Sequence, residues 1–382
     1  MKNINNLIKE LCQNEIEYKM LKDCTEMKRG ISATKKDFIE GNVPVISGGK
    51  EPAFYCNQFN CEGETITVAG SGAGAGYVQY WDMPIFVNDA FSIKAKFNSI
   101  TKYIYYCLSN LQGKIYETKT GSGIPHVNIS NIENFKIPFP SIEIQQKIAD
   151  VLSTQDKVIE LKQKLIDNKK QQKKWLMQNL LTGKIRLKGF TGEWKKAKLG
   201  DIATGFDYGM NVPATVYDNE NKYIRITDID EESHRYLNND IVSPKGILDK
   251  KYIVNKNDIL FSRTGASTGK TYLYNKNDGQ LFFAGFLIRV NISDNDSYFI
   301  FSQTLTERYN KWVKVMSVRS GQPGINANEY TMFKVLLPSI EEQTAIAKIL
   351  STQDKEIELL EKELDLQKQK KKALMQLLLS GR

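Results

Sequence analysis

The chain has 382 residues, 41% of them hydrophobic and 25% charged, with a formal net charge of +9. That length suits two or three domains with real cores, and the composition is that of a globular protein rather than a disordered or fibrous one. No run of eighteen apolar residues occurs, and the opening MKNINNLIKELCQNE lacks the apolar stretch of a secretory signal, so no membrane span and a cytoplasmic location are expected. Only two histidines, His126 and His234, are present, which argues against a His-based metal centre. The five cysteines (Cys12, Cys24, Cys56, Cys61 and Cys107) are odd in number and form no C-x-x-C, the pattern of incidental reduced thiols. A basic balance favours a polyanionic partner, nucleic acid first. Much of the excess sits in NKKQQKKW and KQKKKA, so charge alone does not locate a DNA surface.

Residues 1–17 read as a short helical segment. Residues 18–140 alternate β-like runs with turn signals. VPVIS, ETITVAG, YVQYW, IFV and FSIKAKF are rich in Val, Ile, Thr and aromatics, and glycines at 48–49, 63 and 70–76 punctuate them. ITKYIYYCLSNLQGKIY follows as an amphipathic helix, then the polar loop and strand TGSGIPHVNISNIENFKIPFP.

The stretch from Pro140 to Gly183 returns, without a gap, from Pro338 to Gly381. Both copies hold STQDK, at Ser153–Lys157 and Ser351–Lys355, and both close on Leu-Met-Gln-x-Leu-Leu, a small hydroxyl residue and Gly. An internal repeat decides the domain plan. Each copy reads as one helix of about forty residues, roughly 60 Å at 1.5 Å per residue. Ser339 with Glu342 forms a capping box at the start of the second copy, while the first has Ile144 at the Glu position. Gly183 and Gly381 stand where a helix stop wants positive φ.

Alternating spacings of four and three run through both copies. In the second they are Ile346, Leu350, Gln353, Ile357, Leu360, Leu364, Gln367, Lys371, Leu374 and Leu378. In the first they are Ile148, Leu152, Gln155, Ile159, Lys162, Ile166, Lys169, Lys173, Leu176 and Leu180. This is a coiled-coil seam, diluted by lysines in the first copy, with Gln155 and Gln353 placed to fix register by pairing with each other. Two such helices in one chain can pack antiparallel on each other; a coiled coil for dimerisation is the plainer alternative.

Residues 186–338 run parallel to 18–140 at low similarity. KYIRITDID lies where VPVISGGK lay, NDILFSRTGASTGKTYLY where GETITVAGSGAGAGYVQY lay, and LFFAGFLIRV answers IFVNDAFSIKA. The expected fold class is therefore α+β: two similar globular α/β domains joined by two long antiparallel coiled-coil helices in a pseudo-two-fold internal repeat. Its parts are an N-terminal helical segment (1–17), variable domain one (18–140), a central spacer helix (141–185), variable domain two (186–338) and a C-terminal spacer helix (339–382).

The catalytic motifs that the chain suggests do not hold. Gly265–Thr271 is one residue short of a nucleotide-binding P-loop and runs into TYLY, a strand, where a phosphate cradle needs a helix N-terminus. Gly70–Gly76 likewise runs into a strand, YVQYW, so it reads as a hairpin tip or as a loop whose bare backbone can approach a phosphate or base edge. No methylation motif of the N/D-P-P-Y/F type, no acidic nuclease cluster and no Ser/His/Asp arrangement stands out; no catalytic and no metal-binding residue is expected.

Two variable domains alternating with two near-identical long helices resemble the specificity (S) subunit of type I restriction-modification systems. The resemblance covers almost the whole chain. It is carried by the paired P-S-I-E-x-Q-x-x-I-A-x-x-L-S-T-Q-D-K repeats, by GETITVAGSGAGAGYVQYWDMPIFVNDAFSIKA and by ILFSRTGASTGKTYLY. It implies that each variable domain is a target recognition domain reading one half of a bipartite site in double-stranded DNA. It also implies that the helices set the half-site spacing and dock modification (methyltransferase) subunits, two in number, joined by restriction (translocase/nuclease) subunits. S-adenosylmethionine, ATP and Mg belong on those partners, and this chain needs no cofactor. On that reading the candidate DNA contacts are polar residues on Gly- and Ser-rich loops. In domain one they are Lys35, Lys36, Ser47, Lys50, Ser71, Tyr77, Lys119 and Ser122. In domain two they are Arg225, Thr227, Arg263, Ser267, Lys270, Arg319 and Gln322, among which Arg263, Lys270 and Arg319 are expected to be unusually exposed. Ile148, Leu152, Ile159, Ile357, Leu360 and Leu364 are expected to hold the helix pair. Two other readings stay open: a methyltransferase or nuclease with an unrecognised site, and a coiled-coil adaptor without DNA recognition.

Overall fold

The computed structural model describes residues 17–379. The expected helix at 1–17 and the Gly381 helix stop lie outside, or all but outside, those residues. The chain divides into two compact units, one ending at Lys164 and resuming at Glu361, the other running from Leu165 to Leu360.

The first unit contains β1 (Tyr18–Met20), β2 (Thr25–Arg29), β3 (Val43–Ile46), β4 (Phe54–Cys56), β5 (Glu64–Ala69), β6 (Val78–Asp82), β7 (Phe86–Val87), β8 (Ala90–Ala95) and β9 (Lys136–Pro138). Its main sheet is antiparallel in the order β2-β8-β5-β6, and β3 pairs with β4 on one side and, in parallel, with β7 on the other. Five of the six residues of β5 are buried, so ETITVA is a central strand covered on both faces rather than a half-wet alternating one. The helix Thr101–Asn110 lays Tyr103, Ile104, Tyr106, Cys107 and Leu108 onto that sheet. TEMKR, with too little apolar pattern to show as a strand in sequence, is recruited as β2 along β8.

The second unit contains β10 (Lys195–Lys198), β11 (Ala203–Tyr208), β12 (Ala214–Val216), β13 (Lys222–Ile224), β14 (Val242–Pro244), β15 (Asp258–Ser262), β16 (Thr271–Leu273), β17 (Leu281–Phe283), β18 (Leu287–Ile292) and β19 (Lys334–Leu337). The same plan recurs. The main sheet runs β11-β18-β15-β16, and β13 pairs in parallel with β17 as β3 does with β7. β10 pairs with β19 as β1 does with β9. The helices Ser297–Gln303 and Glu307–Met316 stand where Thr101–Asn110 and Gln112–Glu117 stand in the first unit. The β12–β14 pair is a departure from the common plan.

The repeats form the long helices Ile142–Leu180 and Ile340–Leu379. Each begins by docking on its own unit through a buried glutamine. Gln145 accepts from Ile100 N (3.1 Å) and donates to Pro140 O (3.0 Å); Gln343 accepts from Asp296 N (3.1 Å) and donates to Pro338 O (3.1 Å). Repeat aspartates add a second link: the Tyr106 hydroxyl donates to Asp156 (2.8 Å), and that of Tyr298 to Asp354.

Within each unit the helix segments run antiparallel. In the first, Gln155 donates to Gln367 Oε1 (2.8 Å), Lys162 pairs with Glu363 and Lys371 with Asp156. In the second, Lys169 pairs with Glu356 (2.7 Å) and Lys173 with Asp354. Ile148 and Leu152 are fully buried, Ile357 and Leu364 nearly so, and Ile159 and Leu360 are half-buried. Ile148 and Leu152 pack in one core with Ile66, Tyr103, Leu374 and Leu378. Each such side chain contributes about 1.5–3 kcal/mol of burial.

Three sequence expectations are corrected here. Gln155 pairs with Gln367, not with Gln353; the side-chain carbonyl oxygen of Gln353 is buried without a partner among the described residues. Lys162, Lys169 and Lys173 do not simply dilute the seam, because each is largely shielded from solvent and meets a carboxylate of the opposing helix. Ser339 does cap Glu342 N (3.4 Å), but the Glu342 carboxylate does not reach back to the cap. It is held by the Arg186 guanidinium through two bonds of 2.7 Å, a fork geometry stronger than a capping bond.

Candidate nucleic-acid interface

Each unit carries one glycine-rich loop between a central strand of its main sheet and the edge strand beside it: Gly70–Tyr77 between β5 and β6, Arg263–Lys270 between β15 and β16. The two loops share one backbone hydrogen-bond pattern. Gly72 N donates to Pro125 O (3.0 Å) as Gly265 N does to Pro323 O (2.9 Å). Gly70 N donates to Asp89 O (3.0 Å) as Arg263 N does to Phe286 O (3.0 Å). Val127 N donates to Gly70 O (3.0 Å) as Ile325 N does to Arg263 O (2.9 Å), and Gly76 N to Ala69 O (2.7 Å) as Gly269 N does to Ser262 O (2.9 Å). So three segments meet in each unit: the glycine loop, the turn before β8 or β18, and the polar loop before β9 or β19. Glycine is required where the segments crowd. A Cβ on Gly74 would lie 2.4 Å from the Gly48 carbonyl oxygen, and Gly269 combines φ +90° with Val313 side-chain atoms at 2.6 Å.

The first unit gathers most of its candidates here. Ser71 donates to the Asp89 carboxylate, Lys50 lies over the Tyr77 ring (5.4 Å) and Lys119 over the Tyr116 ring (4.3 Å). Ser47 adjoins Gly48, whose own Cβ would meet Ser71 O at 2.2 Å, and Ser122 is exposed on the polar loop. Lys35 and Lys36 instead sit on the one-turn helix Lys35–Asp37, beside the Phe38–Phe54–Phe86 cluster. Among the described residues none of these four lysines is paired with a carboxylate.

The second unit differs. Arg263, expected to be unusually exposed, is half-buried: it lies over the Tyr208 ring (4.9 Å), and among the described residues its buried Nε has no hydrogen-bond partner and no carboxylate pairs with it. Gln322 abuts Gly265, and Ser267 is half-buried in the loop. The other cations are already occupied. Lys270, expected to be exposed, has a buried side chain that donates to Ile229 O (2.9 Å) and Ile226 O (3.3 Å) and pairs with Glu231. It is the last residue before the buried start of β16, so its stem is directed inward. Arg225 is tied to Asp228 (2.7 Å) and Asp240 (3.0 Å), which keep its guanidinium firmly protonated; Thr227 is exposed beside it. Arg319 spans both oxygens of Glu329 at 2.6 Å.

Sequence reasoning passed over Asp89, His126, Tyr208 and Phe286. Asp89 and His126 line a cleft of about 280 Å³ with Arg29, Asn128 and Ser130. Tyr208 is 43% and Phe286 55% exposed. Aligned without a gap, LFFAGFLIRV under IFVNDAFSIKA sets Asp89 opposite Gly285, so its equivalence to Phe286 was not legible; nothing local marked Tyr208. Among the described residues no group of histidines, cysteines or acids is arranged to hold a metal ion, and no helix is long and apolar enough to cross a membrane.

The family model described as "Type I restriction modification DNA specificity domain" matches residues 13–169 and again 191–368. The chain belongs to that family. The type I specificity subunit MjaVIII of Methanocaldococcus jannaschii is 27% identical over 308 residues, 73% of this chain and 69% of that one. The putative MjaX specificity subunit of the same organism is 27% identical over 303 residues, 73% and 67%. Among solved structures, the type I restriction-modification S subunit from M. genitalium aligns over 96% of this chain and 97% of its own with a TM-score of 0.70 at 19% identity. A chain from a structure describing complex assembly and conformational transition of the type I R-M system aligns over 95% and 97% with a TM-score of 0.55 at 14% identity. The two family domains of this specificity subunit correspond to its two variable segments, each with the start of the repeat helix that follows. In both, the glycine loop lies inside the matched range.

Proposed function

We propose that this chain is the non-catalytic DNA-recognition subunit of a type I restriction-modification complex. Residues 18–140 and 186–338 act as the target recognition domains, each reading one half of a bipartite site in double-stranded DNA. Residues 141–185 and 339–382 act as spacer helices that set the half-site separation and dock modification subunits, while restriction subunits join the assembly. The observation that carries this reading is the shared backbone of the two glycine loops bearing unlike side chains, the arrangement expected of one reading scaffold adapted to two sequences. The net charge of +9 supplies the sequence-independent attraction to phosphate.

Methylome sequencing of a host carrying this chain with its modification subunits tests the reading. A single bipartite motif is expected, with no methyl transfer by the purified chain alone. Removing seven residues from both helices, about 10 Å of helix, is expected to change the spacer and leave the half-sites intact. Methylation without a bipartite motif, or an unchanged spacer in the shortened chain, would count against recognition and spacing respectively.

A further inference from the structure

The two reading loops are superimposable in hydrogen bonding but not in what they present. The carbonyl that receives the loop N–H belongs to Asp89 in the first unit and to Phe286 in the second. Both side chains are exposed. The donor of that N–H is Gly70 in the first unit and Arg263 in the second. One shared backbone position therefore juxtaposes a bare glycine with a carboxylate in one unit, and a guanidinium with a phenyl ring in the other.

Asp89 is a poor choice for a phosphate-facing surface. Its carboxylate receives only the Ser71 hydroxyl and has no ion-pair partner among the described residues, and it would be repelled by a nucleic-acid backbone. Next to base edges the same group is useful, because a carboxylate accepts from the exocyclic amine of cytosine or adenine and finds no donor on a guanine or thymine major-groove edge. Gly70 beside it leaves room for close approach; a Cβ there would meet Asp89 O and Oδ1 at 3.1 Å. In the second unit Arg263 is, among the described residues, the one sequence-nominated cation that no carboxylate neutralises. The Tyr208 ring beneath it restrains the guanidinium as a flat fork, suited to the O6 and N7 acceptors of guanine. Phe286, half-exposed beside it, suits the methyl group of a neighbouring thymine.

Resting on the proposed reading of DNA half-sites, we infer that Asp89 and the Arg263–Phe286 pair are specificity-determining residues. Asp89 selects an amino-bearing base in the half-site of the first unit. Arg263, backed by Tyr208, selects guanine in that of the second, with Phe286 favouring an adjacent thymine.

The test uses the chain assembled with its modification subunits and a duplex library randomised at both half-sites, with methylated molecules sequenced. Asp89→Asn is expected to lower discrimination at one base pair of one half-site about tenfold and leave the other half-site unchanged. Arg263→Lys and Phe286→Ala are expected to relax positions in the opposite half-site only. Thermal unfolding of each variant guards against misfolding, and Asp89→Glu, which keeps the acceptor, is expected to retain the preference for an amino-bearing base. Unchanged preferences in correctly folded Asp89→Asn and Arg263→Lys, or equal weakening on every sequence, overturn this inference while leaving the bipartite reading intact. If the unsubstituted complex itself yields no bipartite motif, the proposed function fails and this inference with it.

Discussion

The two units reach the same docking of a long helix by opposite chemistry at one repeat position. In the first unit the position is Ile144, half-buried against the apolar core. In the second it is Glu342, 1% exposed and bound in a fork by Arg186, which in turn lies over the Trp194 ring at 5.6 Å. A buried ion pair is seldom more stabilising than the apolar contact it replaces, but it is costly to break, because removing one partner strands the other charge. The comparison teaches that near-identity of the repeats does not mean equal sensitivity of the units.

Arg186→Met breaks that comparison most sharply. Leaving the buried Glu342 carboxylate unpaired is expected to destabilise the second unit clearly. The units can be followed separately. Every cysteine precedes residue 165, whereas three of the four tryptophans, Trp175, Trp194 and Trp312, fall in the second unit, and a Trp81→Phe background removes the one in the first. Burial pushes the Cys24 thiol up to about 11 and that of Cys107 up to about 12, so at neutral pH both are protonated and slow to alkylate until the first unit opens. Urea unfolding should show an earlier tryptophan transition with unchanged Cys24 and Cys107 labelling. Adding Glu342→Ile, the solution already used at Ile144, should recover at least half the loss. An unshifted tryptophan transition in Arg186→Met would falsify the assignment of the fork as a structural clamp.

The glycine loops give the second contrast. Gly74 and Ser267 occupy equivalent places, since Tyr77 N donates to Gly74 O (2.9 Å) as Lys270 N does to Ser267 O (3.0 Å). The first unit brings the Gly48 carbonyl to where a Cβ would stand; the second already accommodates one. Gly74→Ala is therefore expected to destabilise its unit by about 2 kcal/mol, whereas Ser267→Ala stays within about 0.5 kcal/mol. Faster labelling of Cys107 in Gly74→Ala, with no change in Ser267→Ala, is the expected pair of results. Equal effects would mean that the loops are not the same scaffold.

These contrasts also explain what could be read from sequence. The duplicated plan, the central strands and the long helices were legible because a gapless repeat and runs such as ETITVAG are long, regular signals. β2 was not, because Thr25–Arg29 takes its conformation from β8 rather than from its own pattern. The candidate site was legible as loops but less so as side chains. Lys270 and Arg263 look alike in a sequence, both cations on a Gly-flanked loop. What separates them is which carboxylates lie within reach, and Glu231 reaches Lys270 while no carboxylate among the described residues pairs with Arg263. Partners distant along the chain, such as Gln367 for Gln155, likewise depend on helix register, which the sequence periodicity left open by several residues.

The smallest effect concerns the seam. Lys162 stands where the second repeat has Leu360, and it pairs with Glu363 across the helices, the side chains being 24% and 57% exposed. A pair that open to solvent contributes about 0.5 kcal/mol at most, and the lysine side chain is already largely shielded from solvent. Lys162→Leu exchanges the ion pair for apolar contact of the kind Leu360 makes, so the net change is expected to lie within about 0.5 kcal/mol of zero. Because the lost term is electrostatic, the variant should gain on the unsubstituted chain at low salt least and at high salt most, as screening removes the pair from the latter. Unfolding midpoints measured at two salt concentrations decide it. A loss well above 1 kcal/mol, insensitive to salt, would show that the lysine is fixed by packing. The first helix would then not be a diluted copy of the second but one built to a different groove.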